Sequence, residues 1–276
     1  MPTACCFLTM VMGSLLLAGA AKAQEDPALK RLEESPRHHE WVEIAVNDQR
    51  KVKTFVVYPE VDAPATAVIV IHENRGLTDW VRSVADQLAE KGYVALAPDF
   101  LSGRAPEGGG TADFPSSDAA RDGIYKLPPD QVTADLDAVA KYAGELDATN
   151  EHVVVSGFCW GGGQSFRYGI HNPKIDAAFV FYGSAPGPED LKQLKVPVYG
   201  FYGGNDVRIT GQVPDVEKVL KEAGASFEPV VYEGAGHGFM RAGEAADANP
   251  ANAQAMEQAW KRWHELLTKI GEKPKS

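Results

Sequence analysis

The fold of this 276-residue chain is decided by Val153-Val154-Val155-Ser156-Gly157-Phe158-Cys159-Trp160-Gly161-Gly162-Gly163. A β-branched run leads into Gly-x-Cys-x-Gly, the pattern of a nucleophile elbow with Cys159 where serine is usual. Glycines on both sides of the cysteine permit the close backbone approach that such a strand-turn-helix needs. The turn lifts the thiol out of the sheet, and amides at the start of the next helix favour a thiolate. The pattern also fits a buried strand whose Cys159 is a small core side chain.

The first segment predicts export. Residues 10–20 are apolar or small, and Ala21-Lys22-Ala23 precedes the polar Gln24. This is typical of a signal peptide over residues 1–23, cleaved after Ala23, and the apolar run is too short to span a membrane. We therefore expect a periplasmic or secreted protein, with a disordered tail as the alternative.

Cysteine usage makes the elbow thiol stand out. The chain has three cysteines, and Cys5 and Cys6 fall in the predicted signal peptide. The mature chain would then hold Cys159 alone, so an internal disulfide is excluded. The remaining thiol is either buried and inert or present for its reactivity.

Charge and histidine spacing limit the possible partners. A formal net charge of −11 disfavours nucleic acid and anionic membranes. His72-Glu73 lacks the second histidine of a metalloprotease motif, and no other spacing suits zinc. We expect a monomer that needs no metal or cofactor and acts on a small molecule.

The chain is predicted to form one α/β domain. Residues 24–40 are charged and predict a surface leader, and the domain follows over residues 41–276. Residues 41–46 and 52–58 predict an antiparallel hairpin. Alternating strands and helices then predict a mainly parallel sheet with helices on both faces. Residues 101–129 form a long connection, which is usually functional or mobile.

Two loops at later strand ends carry partners for the thiol. Gly203-Gly204-Asn205-Asp206 follows a predicted strand at residues 196–202, and Gly236-His237 follows one at residues 227–232. Nucleophile, acid and histidine in this order are typical of an α/β-hydrolase. Alone, Asp206 fits a turn and His237 fits a surface histidine. Their joint position at one sheet edge predicts a Cys-His-Asp triad.

Four stretches together resemble the dienelactone hydrolase (carboxymethylenebutenolidase) family. They are Ile71-His72-Glu73-Asn74-Arg75-Gly76, Gly157-Phe158-Cys159-Trp160-Gly161-Gly162, Gly203-Gly204-Asn205-Asp206 and Gly236-His237-Gly238-Phe239-Met240-Arg241. The resemblance extends over roughly residues 44–267 and implies an α/β-hydrolase fold.

The resemblance also implies a role for each matching residue. Cys159 would be the nucleophile, His237 the base and Asp206 the residue that orients His237. Glu73 would contact the resting thiol and swing away when substrate binds. A carboxylate near the elbow also disfavours the thiolate until it is needed, because like charges repel.

Two arginines fit the family's binders of a substrate carboxylate. Arg241 lies four residues after His237, and Arg104 lies in the long connection. A guanidinium suits a carboxylate because its fork donates two parallel hydrogen bonds. Either arginine could instead be a solvated surface charge.

The elbow also predicts an oxyanion hole. One donor should be the amide after the nucleophile, that of Trp160, and the other the Asn74 amide in the loop after the early strand. The predicted activity is hydrolysis of small esters or lactones through a thioester. A non-catalytic carboxylate-binding module and a thiol redox protein are the alternatives.

Overall fold

The computed structural model describes Met1 and residues 26–274. The predicted cleavage site, Cys5 and Cys6 lie outside the described residues. Within the described part, the helices are too short or too polar to cross a membrane.

The described chain forms one eight-stranded sheet with the order β1-β2-β4-β3-β5-β6-β7-β8. Strands β1 and β2 form an antiparallel hairpin, β2 also pairs antiparallel with β4, and all other neighbours are parallel. The strands are β1 His39–Asn47, β2 Arg50–Val57, β3 Ala65–Ile71, β4 Val94–Asp99, β5 Thr149–Phe158, β6 Ala177–Phe181, β7 Val198–Gly203 and β8 Phe227–Tyr232.

Helices connect most of the strands, and two of the described helices follow the last strand. They are α1 Pro27–Glu34, α2 Asp79–Glu90, α3 Ser117–Tyr125, α4 Pro129–Glu145, α5 Trp160–His171, α6 Pro188–Leu191, α7 Val207–Thr210, α8 Val213–Glu222, α9 Phe239–Ala242 and α10 Pro250–Gly271. The predicted α/β sheet with its N-terminal hairpin is confirmed.

The core has two layers because side chains alternate along each buried strand. In β3, Val68 and Val70 pack in the layer that holds α2 and α10, whereas Ala67, Ile69 and Ile71 face α4, α5 and α8. The sheet therefore has helices on both faces, as predicted. Its carboxyl edge is left open for loops.

The predicted surface leader is partly structural. Residues 27–34 form α1, which buries Ala28 and Leu32 against α2. Beyond α1, Arg37 donates from Nε and a terminal nitrogen to the buried Asp86 carboxylate, at 2.9 and 2.7 Å. The charged composition concealed this helix because only two of its side chains are buried.

The long connection over residues 101–129 is folded. Helix α3 lies within it and buries Ala120 and Ile124 next to Leu101. At its start, the Asp99 carboxylate accepts hydrogen bonds from the Thr111 amide and hydroxyl, both at 2.7 Å. These contacts join positions distant in sequence, so local pattern gave no signal for them.

Candidate active site

Cys159 stands at the elbow between β5 and α5. Its φ is 55° and its ψ is −114°, a strained conformation for a residue with a side chain. The Cys159 amide donates to the Phe181 carbonyl of β6 at 3.0 Å, which helps to hold the strained turn. A Cβ at Gly157 would overlap the Gly161 carbonyl, and one at Gly161 would overlap the His72 carbonyl. The elbow therefore requires both glycines.

Asp206 and His237 meet at the ends of β7 and β8. The His237 Nδ1 atom lies 2.5 Å from Oδ2 of Asp206, whose side chain is only 7% exposed. The loop before His237 is held by α10, because Oδ1 of Asn252 accepts a hydrogen bond from the Gly236 amide at 2.9 Å. With Nδ1 bound to the carboxylate, Nε2 is the ring nitrogen left for another partner.

His237 also interacts with Cys159. The pKa of His237 is raised to about 9. The hydrogen bond with Cys159 contributes most and the hydrogen bond with Asp206 adds to it, while burial opposes both. The imidazole therefore holds a proton more tightly than an isolated histidine does. This arrangement can take a proton from a thiol and return it to a leaving group.

The two backbone amides predicted to form the oxyanion hole have no acceptor among the described residues. The amides of Asn74 and Trp160 have no hydrogen-bond acceptor within residues 26–274. For Trp160 this follows from its place at the first position of α5, where amides lack helical partners. The Asn74 side chain donates to the hydroxyl of Tyr125 at 3.0 Å, which links this loop to α3.

Glu73 is paired with Arg241. The Arg241 Nε atom donates to Oε2 of Glu73 at 3.0 Å, and the carboxylate is the main cause that raises the pKa of Arg241. The expected contact of Glu73 with the resting thiol is not among the hydrogen bonds of the described residues. The Glu73 and Cys159 charges both act on the buried Tyr182, so the two groups share one neighbourhood.

An open cavity of about 790 Å³ lies over the elbow. Cys159 and His237 are in its wall, together with Tyr125, Tyr182 and Arg208. This volume is within the range of small-molecule sites.

Arg104 is not part of this wall. It is exposed, and its guanidinium binds the Gln131 side chain on α4. A tight turn, in which the Arg104 amide donates to the Leu101 carbonyl, sets this orientation. The structure thus places the Arg104 side chain against α4 and not in the cavity wall, and a role for it in binding a substrate carboxylate stays a prediction.

Arg208 lies in the cavity wall, although the sequence alone did not identify it as a site residue. It lies on α7, two residues after Asp206, and its guanidinium has no hydrogen bond or ion pair within residues 26–274. Its place in a loop beyond a strand's carboxyl end was an available signal. Arg167 also lines the cavity, but Gln164, Thr133 and the Pro129 carbonyl bind its guanidinium.

No described group of three or more His, Cys, Asp or Glu side chains could hold a metal ion. Among residues 26–274, Cys159 is a free thiol. The described residues bring together a thiol, an imidazole, a buried carboxylate and two amides that have no described acceptor.

The strand order and the elbow define an α/β-hydrolase. The family model described as "Dienelactone hydrolase family" matches residues 52–271. The chain therefore belongs to the dienelactone hydrolase family, which makes it a hydrolase of the carboxylic ester or lactone type.

Individual relatives agree with this assignment. An Escherichia coli K12 protein named "Putative carboxymethylenebutenolidase" is 34% identical over 224 residues, covering 77% of this chain and 80% of the relative. A mouse "Carboxymethylenebutenolidase homolog" is 30% identical over 226 residues, covering 79% of this chain and 87% of the relative. A crystal structure titled "Putative Dienelactone Hydrolase" from Klebsiella pneumoniae superimposes with a TM-score of 0.73 at 28% identity, covering 84% of this chain and 98% of that one.

Proposed function

We propose that this protein hydrolyses small esters or lactones with Cys159 as the nucleophile, His237 as the base and Asp206 as the residue that orients His237. One observation carries the proposal: a single imidazole contacts the buried Asp206 carboxylate at 2.5 Å and interacts with the elbow thiol. Covalent catalysis of acyl transfer requires a nucleophile in contact with a base and a third group that orients the base.

In the first half-reaction, Sγ of Cys159 bonds to the carbonyl carbon, its proton having passed to Nε2 of His237 before the attack or during it. The carbonyl π electrons move onto oxygen and form a tetrahedral oxyanion. When the oxyanion collapses, the bond to the leaving oxygen breaks. That oxygen takes the proton from His237, the alcohol departs, and a thioester remains on Cys159.

In the second half-reaction, water attacks the thioester carbonyl and gives a proton to His237. Collapse of the second tetrahedral oxyanion breaks the carbon–sulfur bond. The thiolate leaves, recovers the proton from His237, and the carboxylic acid is released. For a lactone, the alcohol and the acid are parts of one molecule.

The amides of Asn74 and Trp160 are assigned to the oxyanion in both steps. Both N–H groups are free within the described residues, and the Trp160 amide also benefits from the N-terminal end of the α5 dipole. Fixed donors aimed at developing charge are worth roughly 3–4 kcal/mol each in acyl transfer.

Glu73 and Arg241 are assigned to control of the site. The two side chains form an ion pair and so neutralise each other. A substrate carboxylate would compete with Glu73 for the Arg241 fork, because guanidinium binds either carboxylate in the same way. Carboxylate-bearing esters are therefore the preferred substrate class, with Arg208 as a second available cation.

Turnover of p-nitrophenyl acetate and a panel of short esters and lactones, with and without a free carboxylate, tests the proposal. We expect turnover by the wild-type protein and loss of at least about 10³-fold in Cys159→Ala, as for other covalent nucleophiles. Cys159→Ala should still bind substrate, since it removes only the attacking atom. Binding without turnover by wild type would favour a carboxylate-binding module, and reversible thiol oxidation without turnover would favour a redox protein.

We also propose that the protein is exported and monomeric. The support for export is the apolar segment at residues 10–20 followed by Ala21-Lys22-Ala23. N-terminal sequencing of the protein from its native host should begin at Gln24. A retained Met1 would contradict export by this signal, and a dimeric mass in light scattering would contradict the monomer.

A further inference from the structure

We propose that His72 is a positioning residue that holds both amides of the oxyanion hole in place. It hydrogen bonds to the peptide that carries one amide and stacks on the side chain of the residue that carries the other. This inference rests on the proposed function, because the hole matters only if Cys159 attacks a carbonyl.

The tautomer of the His72 ring follows from its two hydrogen bonds. The ring is fully buried, and its Nε2 atom accepts from the Phe100 amide at 3.4 Å. A neutral imidazole that accepts at Nε2 carries its proton on Nδ1. Nδ1 therefore donates to the Glu73 carbonyl, 2.8 Å away. Burial also lowers the pKa of His72, which favours this neutral form.

The bond to the Glu73 carbonyl fixes the direction of the Asn74 amide. The two groups belong to one planar peptide, and in a trans peptide the C=O and the N–H point in opposite directions. The Gly76 amide also donates to the Glu73 carbonyl, at 3.4 Å. With the carbonyl held towards His72, the Asn74 N–H points away from the ring and has no described partner.

The other amide is held through the Trp160 side chain. The His72 and Trp160 rings are stacked, with centroids 5.4 Å apart and planes at 16°. Phe100 packs edge-on against both rings, at 5.3 and 5.8 Å. The backbones of His72 and Gly161 also lie close together, because a Cβ at Gly161 would overlap the His72 carbonyl. One buried imidazole thus hydrogen bonds to the peptide that carries the Asn74 amide and stacks on the side chain of Trp160.

His72 does not line the cavity. It acts through Glu73 and Trp160 rather than on substrate. A change that misdirects the amides should slow reactions that generate an oxyanion. It should leave untouched a reaction of the same thiol that generates none, such as alkylation by iodoacetamide. This difference separates a positioning role from simple filling of the core.

The experiment compares two rates at Cys159 in three variants, with His72→Ala as a fourth where His72→Phe does not fold. His72→Phe keeps a ring against Trp160 but removes the Nδ1 donor, whereas His72→Asn keeps a donor near the Nδ1 position. His152→Asn is the matched control, because His152 is also buried and hydrogen bonded, to Asp176 and the Lys273 carbonyl, and lies outside the cavity wall. Single-turnover acylation by p-nitrophenyl acetate and alkylation by iodoacetamide are measured for each.

We expect acylation to fall at least about tenfold in His72→Phe, since loss of one oxyanion donor costs about 10²–10³. Alkylation should stay within about twofold of the wild-type rate, because that reaction forms no oxyanion. His72→Asn should recover part of the acylation rate, and His152→Asn should match wild type.

Equal acylation by wild type and His72→Phe would overturn the inference, as would an equal fall in acylation and alkylation. If His72→Phe does not fold, failure of folded His72→Asn to acylate faster than folded His72→Ala overturns it. Absence of ester turnover in wild type would instead overturn the proposed function, and this inference with it.

Discussion

Nε of Arg241 lies 3.0 Å from Oε2 of Glu73, although Glu73 follows β3 and Arg241 belongs to α9. The carboxylate is mostly buried, with 13% of the side chain exposed, whereas the Arg241 side chain is 56% exposed. The pair thus joins an acid close to the elbow with a cation that solvent and ligands can reach. A ligand that captures Arg241 would leave Glu73 without its partner.

The first prediction concerns the charge of Glu73. In Glu73→Gln the Arg241 cation loses its neutralising partner, so the thiolate of Cys159 is favoured by net positive charge nearby. We expect iodoacetamide to alkylate Cys159 at least about threefold faster at neutral pH, because the thiolate is the form that reacts. Glu43→Gln is the control, since Glu43 also pairs with a cation, Lys51, but on the N-terminal hairpin. An unchanged rate would remove Glu73 from control of the thiol.

The second prediction concerns Arg208. Arg208 lies in the cavity wall, and its guanidinium has no hydrogen bond or ion pair among the described residues. We therefore expect it to bind a carboxylate on the substrate. In Arg208→Ala we expect KM to rise about fivefold or more for carboxylate-bearing esters and to stay unchanged for neutral ones. Arg104→Ala, which affects a guanidinium bound to Gln131 outside the cavity, should change neither. An equal rise for both ester classes would show that Arg208 does not recognise charge.

The third prediction concerns the titration of His237. Its folded pKa of about 9 exceeds the ordinary 6.5, so the folded state binds the proton more tightly. The resulting stability is fully present below pH 6.5 and is lost as the pH rises through about 9. The Cε1 proton of His237 should therefore titrate near pH 9 in an NMR experiment.

Cys159→Ala provides the matched comparison for this titration. It removes the largest cause of the raised value, so His237 should titrate at a lower pH. Urea unfolding should then show that wild type loses stability relative to Cys159→Ala across the same interval. Identical titration curves for the two proteins would show that the thiol does not interact with the imidazole.

The fourth prediction concerns α1, which the sequence assigned to a surface leader. Leu32 is buried against α2, so Leu32→Ala should lower the free energy of unfolding by about 2 kcal/mol, the low end for a buried leucine. Leu29→Ala on the same helix should change it by less than about 0.5 kcal/mol, because Leu29 is 39% exposed. Equal small effects in urea unfolding would mean that α1 does not contribute to the stability of the domain.

The parallel sheet could be predicted because its strands are continuous apolar runs that end in distinctive loops. Ile71 and Phe158 each end such an apolar run, and each is followed within two residues by a residue of the candidate site. The elbow was readable because Gly157 and Gly161 meet a requirement of local backbone geometry.

Features that depend on distant contacts could not be predicted in this way. The direction of Arg104 is set by a turn and by Gln131 on another element, and α3 is held by contacts with Leu101. His72 gave no signal because a histidine at a strand end is unremarkable until its ring is found on Trp160. Tertiary packing decided each of these features.

The hydrogen bond from the Gly236 amide to Asn252 makes the last helix a condition for a complete site. During translation, the elbow and Asp206 leave the ribosome before His237, and α10 follows His237. A nascent or C-terminally truncated chain therefore carries the thiol before it has the loop anchor that holds the base. Under the proposed function, Cys159 would thus gain its fully anchored base only after α10 has been synthesised.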